Sequence, residues 1–291
     1  MKIAVTGSAG FLGRHIVRKL RSLNYRVVEI DKRQGVDIRN YKEILEILKR
    51  ESVEAVIHCA ALVSVEESVY KPIEYVDNNV LGTVSLLKSA VDAGVKKVVY
   101  ISSAAVYGNP KYLPIDEKHP LEPISPYGAT KLAGEFLVKA FYETYRLKYV
   151  ILRPFNIYGP GQNPAYAGVI SKFIERVSRG LPPIIYGDGQ QTRDFVYVED
   201  VAEAIAKAVE KRLEKEVFNI ATGKPTKIVD LAKLVMKLFK NEDLKPIFEN
   251  PRPGDIRHSY ASITKAVEKL GWKPSTGLEE GLKKTIEWFT G

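Results

Sequence analysis

The sequence of 291 residues predicts a doubly wound parallel α/β sheet with a second, smaller α/β lobe interleaved in the C-terminal half. Three observations predict this fold class. Short β-branched runs alternate with helical stretches through the first half, which is the order of strands and crossover helices in a parallel sheet. After Arg153 the composition shifts to Pro, Gly, Asn and Gln, and the alternation lapses. A helix predicted over 200–212 and a strand over 217–220 then indicate a return to the sheet.

The elements of the first half can be placed from the pattern. Strands are predicted over 3–6, 26–30, 55–58, 97–102 and 149–153, and helices over 11–23, 41–49, 72–93 and 126–145. We therefore predict a first domain over residues 1–153, to which the chain returns at about 190–215, and a second lobe formed mainly by residues 154–291.

The charge of the chain favours a small anionic ligand over a nucleic acid. Formal net charge is +9, from 44 Lys and Arg against 35 Asp and Glu. Basic residues are interspersed with acidic ones, as over 207–216, and the sequence has no basic block or aromatic-interleaved basic stripe. This distribution argues against nucleic-acid binding.

The apolar runs and the cysteine content indicate the compartment. The longest apolar runs are far shorter than the ~20 residues of a membrane span, and the N-terminus enters a strand-like run at once. Cys59 is the single cysteine, which excludes an intrachain disulfide and an all-cysteine metal site. We expect a cytoplasmic protein that is not exported and has no membrane segment and no bound metal.

Three glycines, Gly7, Gly10 and Gly13, lie between the first predicted strand and helix. Glycines here let the backbone turn sharply and approach a pyrophosphate, while the amides of Phe11 and Leu12 at the helix N-terminus face the anion. An ordinary glycine-rich turn is the alternative, but the strand-turn-helix context favours a dinucleotide site.

Asp31 ends the second predicted strand, 31 − 13 = 18 residues beyond Gly13. An acid at this position accepts hydrogen bonds from ribose hydroxyls and repels a 2′-phosphate, which favours NAD over NADP. Lys32 and Arg33 follow and could soften this preference. The alternative interpretation of Asp31 is a solvated carboxylate at a strand end.

Tyr127 and Lys131 form the candidate catalytic pair. Their i, i+4 spacing puts the phenol and the ammonium on one helix face, where the cation would lower the pKa of the phenol toward that of a general base. Ser103 follows a predicted strand and would face the same crevice. Taken singly, the pair could be an ordinary helix pair and Ser103 a turn residue.

Together these motifs resemble the extended short-chain dehydrogenase/reductase family, in which a Rossmann domain binds NAD. The glycine spacing, three apart twice, differs from the G-x-G-x-x-G of other dehydrogenases and is similar to that of this family. Further similar segments are Asp37-Ile38, His58-Cys59-Ala60-Ala61 and 78–83. From the residues alone, His58 is interpreted as a strand-end residue and Asn79 as a buried amide.

The resemblance implies roles for individual residues. Asp37 and Ile38 would contact the adenine, Ala60 and Ala61 would lie in the pyrophosphate loop, and Asn78 would lie near the nicotinamide. The resemblance also assigns Lys32, Phe155, Tyr127 and Lys131 to the cofactor. It assigns Ser103, Tyr127 and Lys131 to the catalytic triad. The resemblance also implies a homodimer formed through the helices that carry Asn79 and Tyr127.

The second lobe carries the predicted substrate contacts. Segments 153–160, 187–195 and 251–255 are similar to those of nucleotide-sugar 4-epimerases. Arg193 and Arg252 are forked cations suited to diphosphate oxygens, although they could also be ordinary surface arginines. The resemblance assigns the UDP-sugar to Ser103, Asn156, Val169, Tyr186, Arg193, Arg252, Asp255 and Ser259. The small side chain of Ser259 suggests room for an N-acetylated sugar.

Two alanines after Ser103 favour one reaction within the family. Dehydratases and decarboxylases of this family have acidic residues at these positions, whereas Ala104 and Ala105 supply no acid or base. We therefore expect NAD-dependent 4-epimerisation of a UDP-hexose, an isomerase reaction of EC 5.1.3 type in galactose metabolism. The alternatives are a nucleotide-sugar 4,6-dehydratase or reductase and, in another class, a non-catalytic NAD(H)-binding regulator.

Overall fold

The computed structural model describes residues 1–162, 168–252 and 254–291. Pro253, within the predicted segment 251–255, lies outside these residues. The first half, in chain order, contains β1 Lys2–Thr6, α1 Phe11–Ser22, β2 Arg26–Ile30, α2 Tyr41–Arg50, β3 Ala55–His58, α3 Val65–Tyr70, α4 Pro72–Val76, α5 Gly82–Asp92, β4 Lys97–Ile101, α6 Pro126–Tyr145 and β5 Lys148–Pro154. The second half contains β6 Asn156–Tyr158, α7 Val169–Ser178, β7 Ile184–Tyr186, β8 Thr192–Arg193, β9 Phe195–Tyr197, α8 Val198–Glu210, β10 Glu216–Ile220, β11 Thr226–Lys227, α9 Ile228–Leu238, β12 Ile247–Glu249, β13 His258–Ser259 and α10 Leu278–Thr290.

A parallel six-stranded sheet in the order β10-β5-β4-β3-β1-β2 forms the centre of the fold, which confirms the predicted class. Apolar residues of α1 and α8 cover one face, and those of α2, α5 and α6 cover the other. Because β1 lies between β2 and β3, the strand order reverses there and opens a crevice at the carboxyl ends of β1 and β3.

The last strand of the central sheet comes from the second half of the chain. Strand β10 pairs in parallel with β5, with Glu216 opposite Val150 and Ile220 opposite Pro154. Helix α8, which precedes β10, packs on α1. The chain therefore leaves the sheet after β5, builds part of a second lobe and comes back.

The predicted helix over 72–93 differs from a regular helix in its middle. The segment Asp77–Leu81 between α4 and α5 is a π-helical turn, so the helix contains one wide turn in the segment that carries Asn78 and Asn79. Such turns are rare in proteins overall, and those that occur are often at functional sites. The apolar pattern did not reveal this turn.

The second lobe has a core of its own, formed by apolar residues of α7, α9, β7, β9 and α10. Its strands form small sheets, β11-β8-β13, β12-β7 and β6-β9. Within the described ranges, no helix is long and apolar enough to cross a membrane. The same residues contain no cluster of His, Cys, Asp and Glu that could hold a metal ion.

Candidate active site

The glycine turn after β1 brings three backbone segments into contact. Gly7 has a φ of +69°, and a Cβ there would lie 2.8 Å from the Cα of Ala60, in the loop after β3. A Cβ on Gly13 would lie 1.9 Å from the carbonyl oxygen of Gly7. Only glycine fits at either position. The turn thus joins β1, α1 and the β3 loop at the crevice where the dinucleotide is predicted.

This turn offers donors that fit an anion. Helix α1 begins at Phe11, and among the described residues no side chain caps it and no acid lies in its first turn. The first amides of the helix therefore remain available to a ligand. The buried Ser8 Oγ likewise has no hydrogen-bond partner in the described part of the chain. An uncapped helix N-terminus beside an unpaired hydroxyl fits the pyrophosphate of a dinucleotide.

Asp31 is anchored to the same turn. Its carboxylate accepts hydrogen bonds from the backbone N–H groups of Ala9 and Arg33, each at 2.9 Å. The Arg33 guanidinium donates to the carbonyl oxygen of Ala9 at 3.0 Å. Asp31 is buried, and the interpretation as a freely solvated carboxylate is therefore wrong.

Asp37 and Ile38 lie close to these residues in sequence but have partners of their own. The hydrogen bonds of Arg39 to Asp37, the shortest at 2.6 Å, hold the pKa of that carboxyl at about 2. The ammonium of Lys32 lies 3.7 Å from the same carboxylate. Ile38 is buried against Gly82 of α5. Contact of Asp37 and Ile38 with an adenine stays a prediction.

His58 is a structural strand-end residue, as interpreted from the sequence. Its Nδ1 lies 2.8 Å from Thr6 Oγ1, and its Nε2 lies 2.9 Å from Thr83 Oγ1. Because the Thr83 hydroxyl donates to the carbonyl oxygen of Asn79, it accepts the Nε2–H of His58. Burial lowers the pKa of His58 to about 3, so the ring is neutral and ties β1 and β3 to α5.

Asn79, in the π turn, is the buried amide that the sequence predicts. Its Nδ2 donates to the carbonyl oxygen of Leu62 at 3.0 Å and to Thr130 Oγ1 at 3.1 Å, and its Oδ1 accepts the Leu62 N–H at 2.8 Å. Asn78 Nδ2 donates to the same Oδ1 at 3.0 Å. The π turn is thereby fixed to the loop after β3 and to α6.

The predicted triad comes together at the carboxyl end of β4. Ser103 follows that strand, and its side chain lies close to that of Tyr127. Lys131 Nζ donates to the carbonyl oxygen of Ile101, the last residue of β4, at 2.7 Å. The Ser125 Oγ accepts the N–H of Gly128 and caps α6, so Tyr127 lies in the first turn of a stable helix.

The pKa shifts of Tyr127 and Lys131 differ from the predicted lowering of the phenol pKa by the ammonium. Burial raises the pKa of Tyr127, and the nearby Ser103 hydroxyl only partly lowers it again. Burial lowers the pKa of Lys131 to about 8. The expected lowering by Lys131 does not dominate, because Tyr127 is buried and the ammonium is hydrogen-bonded to a backbone carbonyl.

A buried ion pair beneath the triad was missed by the sequence analysis. Glu135 Oε1 accepts hydrogen bonds from Ser102 Oγ at 2.6 Å and from Arg153 Nε at 2.8 Å. Its Oε2 accepts Arg153 Nη2 at 2.6 Å. The spacing of Glu135, four residues beyond Lys131, is a signal that could have indicated a third polar side chain on the same face.

A cleft of about 200 Å³ opens in the second lobe. Its lining includes six of the predicted substrate contacts, namely Asn156, Val169, Tyr186, Arg193, Arg252 and Asp255. Ser103 and Ser259 do not line this cleft. Ser259 lies half-buried in β13, which pairs with β8 opposite Arg193. Phe155 is buried after β5, and its contact with the cofactor stays a prediction.

The polar groups of the cleft have partners within the second lobe. Arg193 forms an ion pair with Asp255 and donates from Nη1 to the carbonyl oxygen of Ile256 at 2.6 Å. The Arg252 guanidinium lies 3.9 Å from the centre of the Tyr186 ring. Asn156 Nδ2 donates to a backbone oxygen of the second lobe at 2.9 Å. The cleft thus holds two guanidinium groups and an amide, a donor set that suits a diphosphate.

Comparison with known proteins finds similar proteins that match nearly the whole length of the chain. A family model described as the NAD dependent epimerase/dehydratase family matches residues 3–221. A putative UDP-glucose 4-epimerase of Methanocaldococcus jannaschii is 43% identical over 99% of this chain and 98% of its own. The structure of the UDP-glucose 4-epimerase of Thermotoga maritima with UDP-glucose has a TM-score of 0.94 at 41% identity, covering 99% of this chain and 98% of that chain. The UDP-glucose 4-epimerase of Thermus thermophilus in complex with NAD has a TM-score of 0.91 at 36% identity, covering 100% of this chain and 99% of that chain.

Proposed function

The chain belongs to the NAD dependent epimerase/dehydratase family, and we propose that it is a UDP-glucose 4-epimerase-like isomerase of the EC 5.1.3 type. It interconverts UDP-hexoses that differ at carbon 4. The observation that carries the proposal is the meeting of Ser103, Tyr127 and Lys131 at the carboxyl end of β4, together with a turn whose donors fit a dinucleotide.

The cofactor is NAD, held by the turn of Gly7, Gly10 and Gly13, with Asp31 on the adenosine ribose. When bound there, NAD would supply the acceptor and the donor of the hydride exchanged with carbon 4 of the sugar, and its cationic ring would favour the ionised form of Tyr127. The anchored carboxylate of Asp31 supports NAD over NADP, because it would repel a 2′-phosphate.

In the reaction, Tyr127 removes the proton of the sugar 4-hydroxyl and later gives it back, so the chain needs no second base. Ser103 hydrogen-bonds the same oxygen and holds it against the phenol. Lys131 stabilises the phenolate and holds the nicotinamide ribose. Tyr127 and Lys131 are buried and Ser103 is half-buried, which limits the access of water to the 4-keto sugar in the site.

The substrate diphosphate binds in the cleft of the second lobe. Arg193 and Arg252 contact its oxygens together with Asn156, while Asp255 contacts the nucleotide ribose. Val169 and Tyr186 pack against the base or sugar. Ser259 leaves room for a 2-acetamido group, so the N-acetylated UDP-hexoses are substrates as well.

The turn after Ser103 favours epimerisation over dehydration. Ala104, Ala105 and Val106 form a single 3₁₀ turn, capped by the Ser103 Oγ at 3.2 Å from the Ala105 N–H. This turn brings no carboxyl group to the triad. Elimination of water from the sugar would need such an acid or base in addition to Tyr127.

The enzyme is a homodimer that forms through α3, α4 and α6. These helices pack on one another and expose a group of apolar side chains to solvent. Exposed apolar patches of this kind mark interaction surfaces. Ile73 is 83% exposed and Tyr70 79%, and Val69, Val76 and Phe136 are each more than half exposed. A second copy of the chain would cover this face, which analytical ultracentrifugation tests. We place the enzyme in the cytoplasm and in galactose metabolism.

One experiment tests the activity. The purified protein, without added NAD, is incubated with UDP-glucose, UDP-galactose, their N-acetylated forms and UDP-glucuronate, and the products are separated chromatographically. We expect the same mixture of two 4-epimers from either starting sugar. A free 4-keto-6-deoxy product would identify a dehydratase, net consumption of NADPH a reductase, and bound NAD(H) without turnover a regulator.

A further inference from the structure

Helix α6 carries three polar side chains on one face. Tyr127, Lys131 and Glu135 follow one another at intervals of four residues, so they lie one turn apart. All three are buried, and Glu135 is 0% exposed. A buried carboxylate costs free energy unless it is paired, so its partners are informative.

The partners of Glu135 belong to two neighbouring strands of the sheet. Ser102, directly after β4, donates its hydroxyl proton to Oε1 at 2.6 Å. Arg153 of β5 reaches both carboxylate oxygens, at 2.8 Å from Nε and 2.6 Å from Nη2. Lys139 Nζ lies 3.8 Å from Oε2. One carboxylate therefore connects α6 with the carboxyl ends of β4 and β5.

These strand ends lead into the triad and the cofactor crevice. Ser102 immediately precedes Ser103, and its backbone N–H donates to the carbonyl oxygen of Leu152 at 2.8 Å. Arg153 Nη1 also donates a hydrogen bond to the hydroxyl oxygen of Tyr107 at 3.0 Å. A shift of α6 along the sheet would break the bonds of Glu135 and would separate Tyr127 from Ser103.

We propose that Glu135 is the positioning residue of the catalytic helix, whose carboxylate holds Tyr127 and Lys131 in register with Ser103 through Ser102 and Arg153. The proposal rests on the catalytic assignment made under the proposed function. Glu135 itself touches no reacting atom, and its effect reaches the reaction through the helix and through its charge.

The charge of Glu135 acts on Lys131. Burial lowers the pKa of Lys131 to about 8, and electrostatic interactions with Cys59 and with Glu135 oppose this fall. The other titratable groups facing Lys131 are Tyr100 on β4, His58 and Cys59 at the end of β3, and Tyr127 on α6 itself. Burial raises the pKa of Cys59 to about 11 and raises that of Tyr100, and it lowers that of His58 to about 3. These three groups are therefore uncharged at neutral pH, and Glu135 supplies a charge that they do not.

The test uses Glu135→Gln, which keeps the shape of the side chain and removes its charge. We expect kcat for UDP-galactose to fall about tenfold or more with KM within about twofold, as lost hydrogen bonds to a charged group predict. The alkaline limb of the pH profile should move about one unit lower, because Lys131 loses a favourable charge. Glu143→Gln, at an exposed carboxylate of the same helix, is the matched control and should change neither quantity. An unchanged kcat and pH profile in Glu135→Gln would overturn the proposal.

Loss of Glu135 leaves Arg153 buried without its partner, so a second variant is needed. Ser102→Ala keeps the ion pair and removes the bond to β4, and we expect about a three- to tenfold lower kcat with an unmoved pH profile. Glu135→Asp, which keeps the charge on a shorter side chain, should restore the alkaline limb but not the full kcat. A role limited to stability would lower the melting temperature of these variants and leave kcat unchanged, and that result would also overturn the proposal.

The readouts separate this proposal from the proposed function. If the wild-type enzyme interconverts no UDP-hexose, the proposed function fails, and NADH affinity, measured by fluorescence titration, then tests the positioning role. Glu135→Gln should bind NADH more weakly than Glu143→Gln. Equal affinity of the two variants would contradict a role of Glu135 in positioning Lys131.

Discussion

The two ends of the active site are built from different kinds of polar groups. At the triad, Tyr127, Lys131 and Glu135 are buried on one helix face and bonded to the ends of neighbouring strands. In the cleft of the second lobe, Arg252 and Asp255 are exposed. The triad is thus fixed by the core, whereas the cleft is held by pairs between side chains that reach solvent.

This difference separates chemistry from recognition. Groups that must transfer a proton lie where burial controls their pKa and packing controls their position. The groups proposed to bind the diphosphate have partners of their own, since Arg193 forms an ion pair with Asp255 and Arg252 lies on the Tyr186 ring. Changes at the triad should therefore lower kcat, and changes in the cleft should raise KM.

Tyr127→Phe gives the largest expected effect. Loss of the phenol removes the acid/base group, and kcat should fall by about 10²- to 10⁴-fold or below detection. Coupled assays of UDP-galactose conversion measure the fall. Tyr142→Phe, on the same helix with its ring against Tyr149, is the matched control and should keep normal turnover. Near wild-type activity of Tyr127→Phe would end the assignment of the triad.

Arg193→Gln tests the recognition end. We expect KM for UDP-glucose to rise about 10- to 100-fold with kcat within a few-fold, because a charge-assisted contact to the diphosphate is lost. Initial-rate kinetics measure the two constants separately. Arg257→Gln, which removes an exposed arginine paired with Asp188, should leave both unchanged. A fall in kcat at constant KM would show that the two ends are not separable.

The pH profile sharpens the contrast by probing a buried cation. Lys131 has a pKa of about 8, below its usual value, so it loses its proton as pH rises through 8. If the reaction requires the ammonium, kcat/KM should fall about tenfold per pH unit above that value. In Lys131→Arg the side chain stays protonated, and the residual activity should show no such fall. A wild-type profile that stays flat to pH 10 would contradict the role of Lys131.

Ser259→Tyr has the smallest expected effect on the basic reaction. The larger ring would fill space beside Arg193, so activity on UDP-N-acetylglucosamine should fall at least about tenfold while that on UDP-glucose changes less than about twofold. Parallel assays with both sugars measure the ratio. Ser262→Tyr, three residues further along the chain, serves as the control. An unchanged ratio would show that Ser259 does not determine which sugars the enzyme accepts.

The parts of the fold that depend on local sequence were predictable. The bounds of α6 follow from Ser125 as cap and Pro126 in the first turn, and the glycine turn follows from three glycines between a strand and a helix. The return of β10 to the sheet was predictable from its apolar pattern. The cap and the glycine turn depend on neighbours within a few residues, and β10 shows its strand pattern locally although its partner β5 is distant in the chain.

The parts that depend on distant neighbours were not predictable from the residues. The raised pKa of Tyr127 comes from burial, which only the packed structure determines. The pairing of Glu135 with Ser102 and Arg153 joins residues 33 and 18 positions apart. The ion pair of Arg193 with Asp255 spans 62 positions. Neither the spacing of residues nor the composition predicts which of these distant residues are paired.

The π turn at Asp77–Leu81 also sets the rotational phase of the helix that follows it. One residue of an α-helix corresponds to a rotation of about 100°, so a one-residue change in the length of this turn would rotate α5 by that angle relative to α4. The buried face of α5, which includes Leu86, Leu87 and Ala90, would then turn away from the sheet. The length of this segment is therefore constrained. A substitution there should be tolerated more easily than the insertion or deletion of one residue.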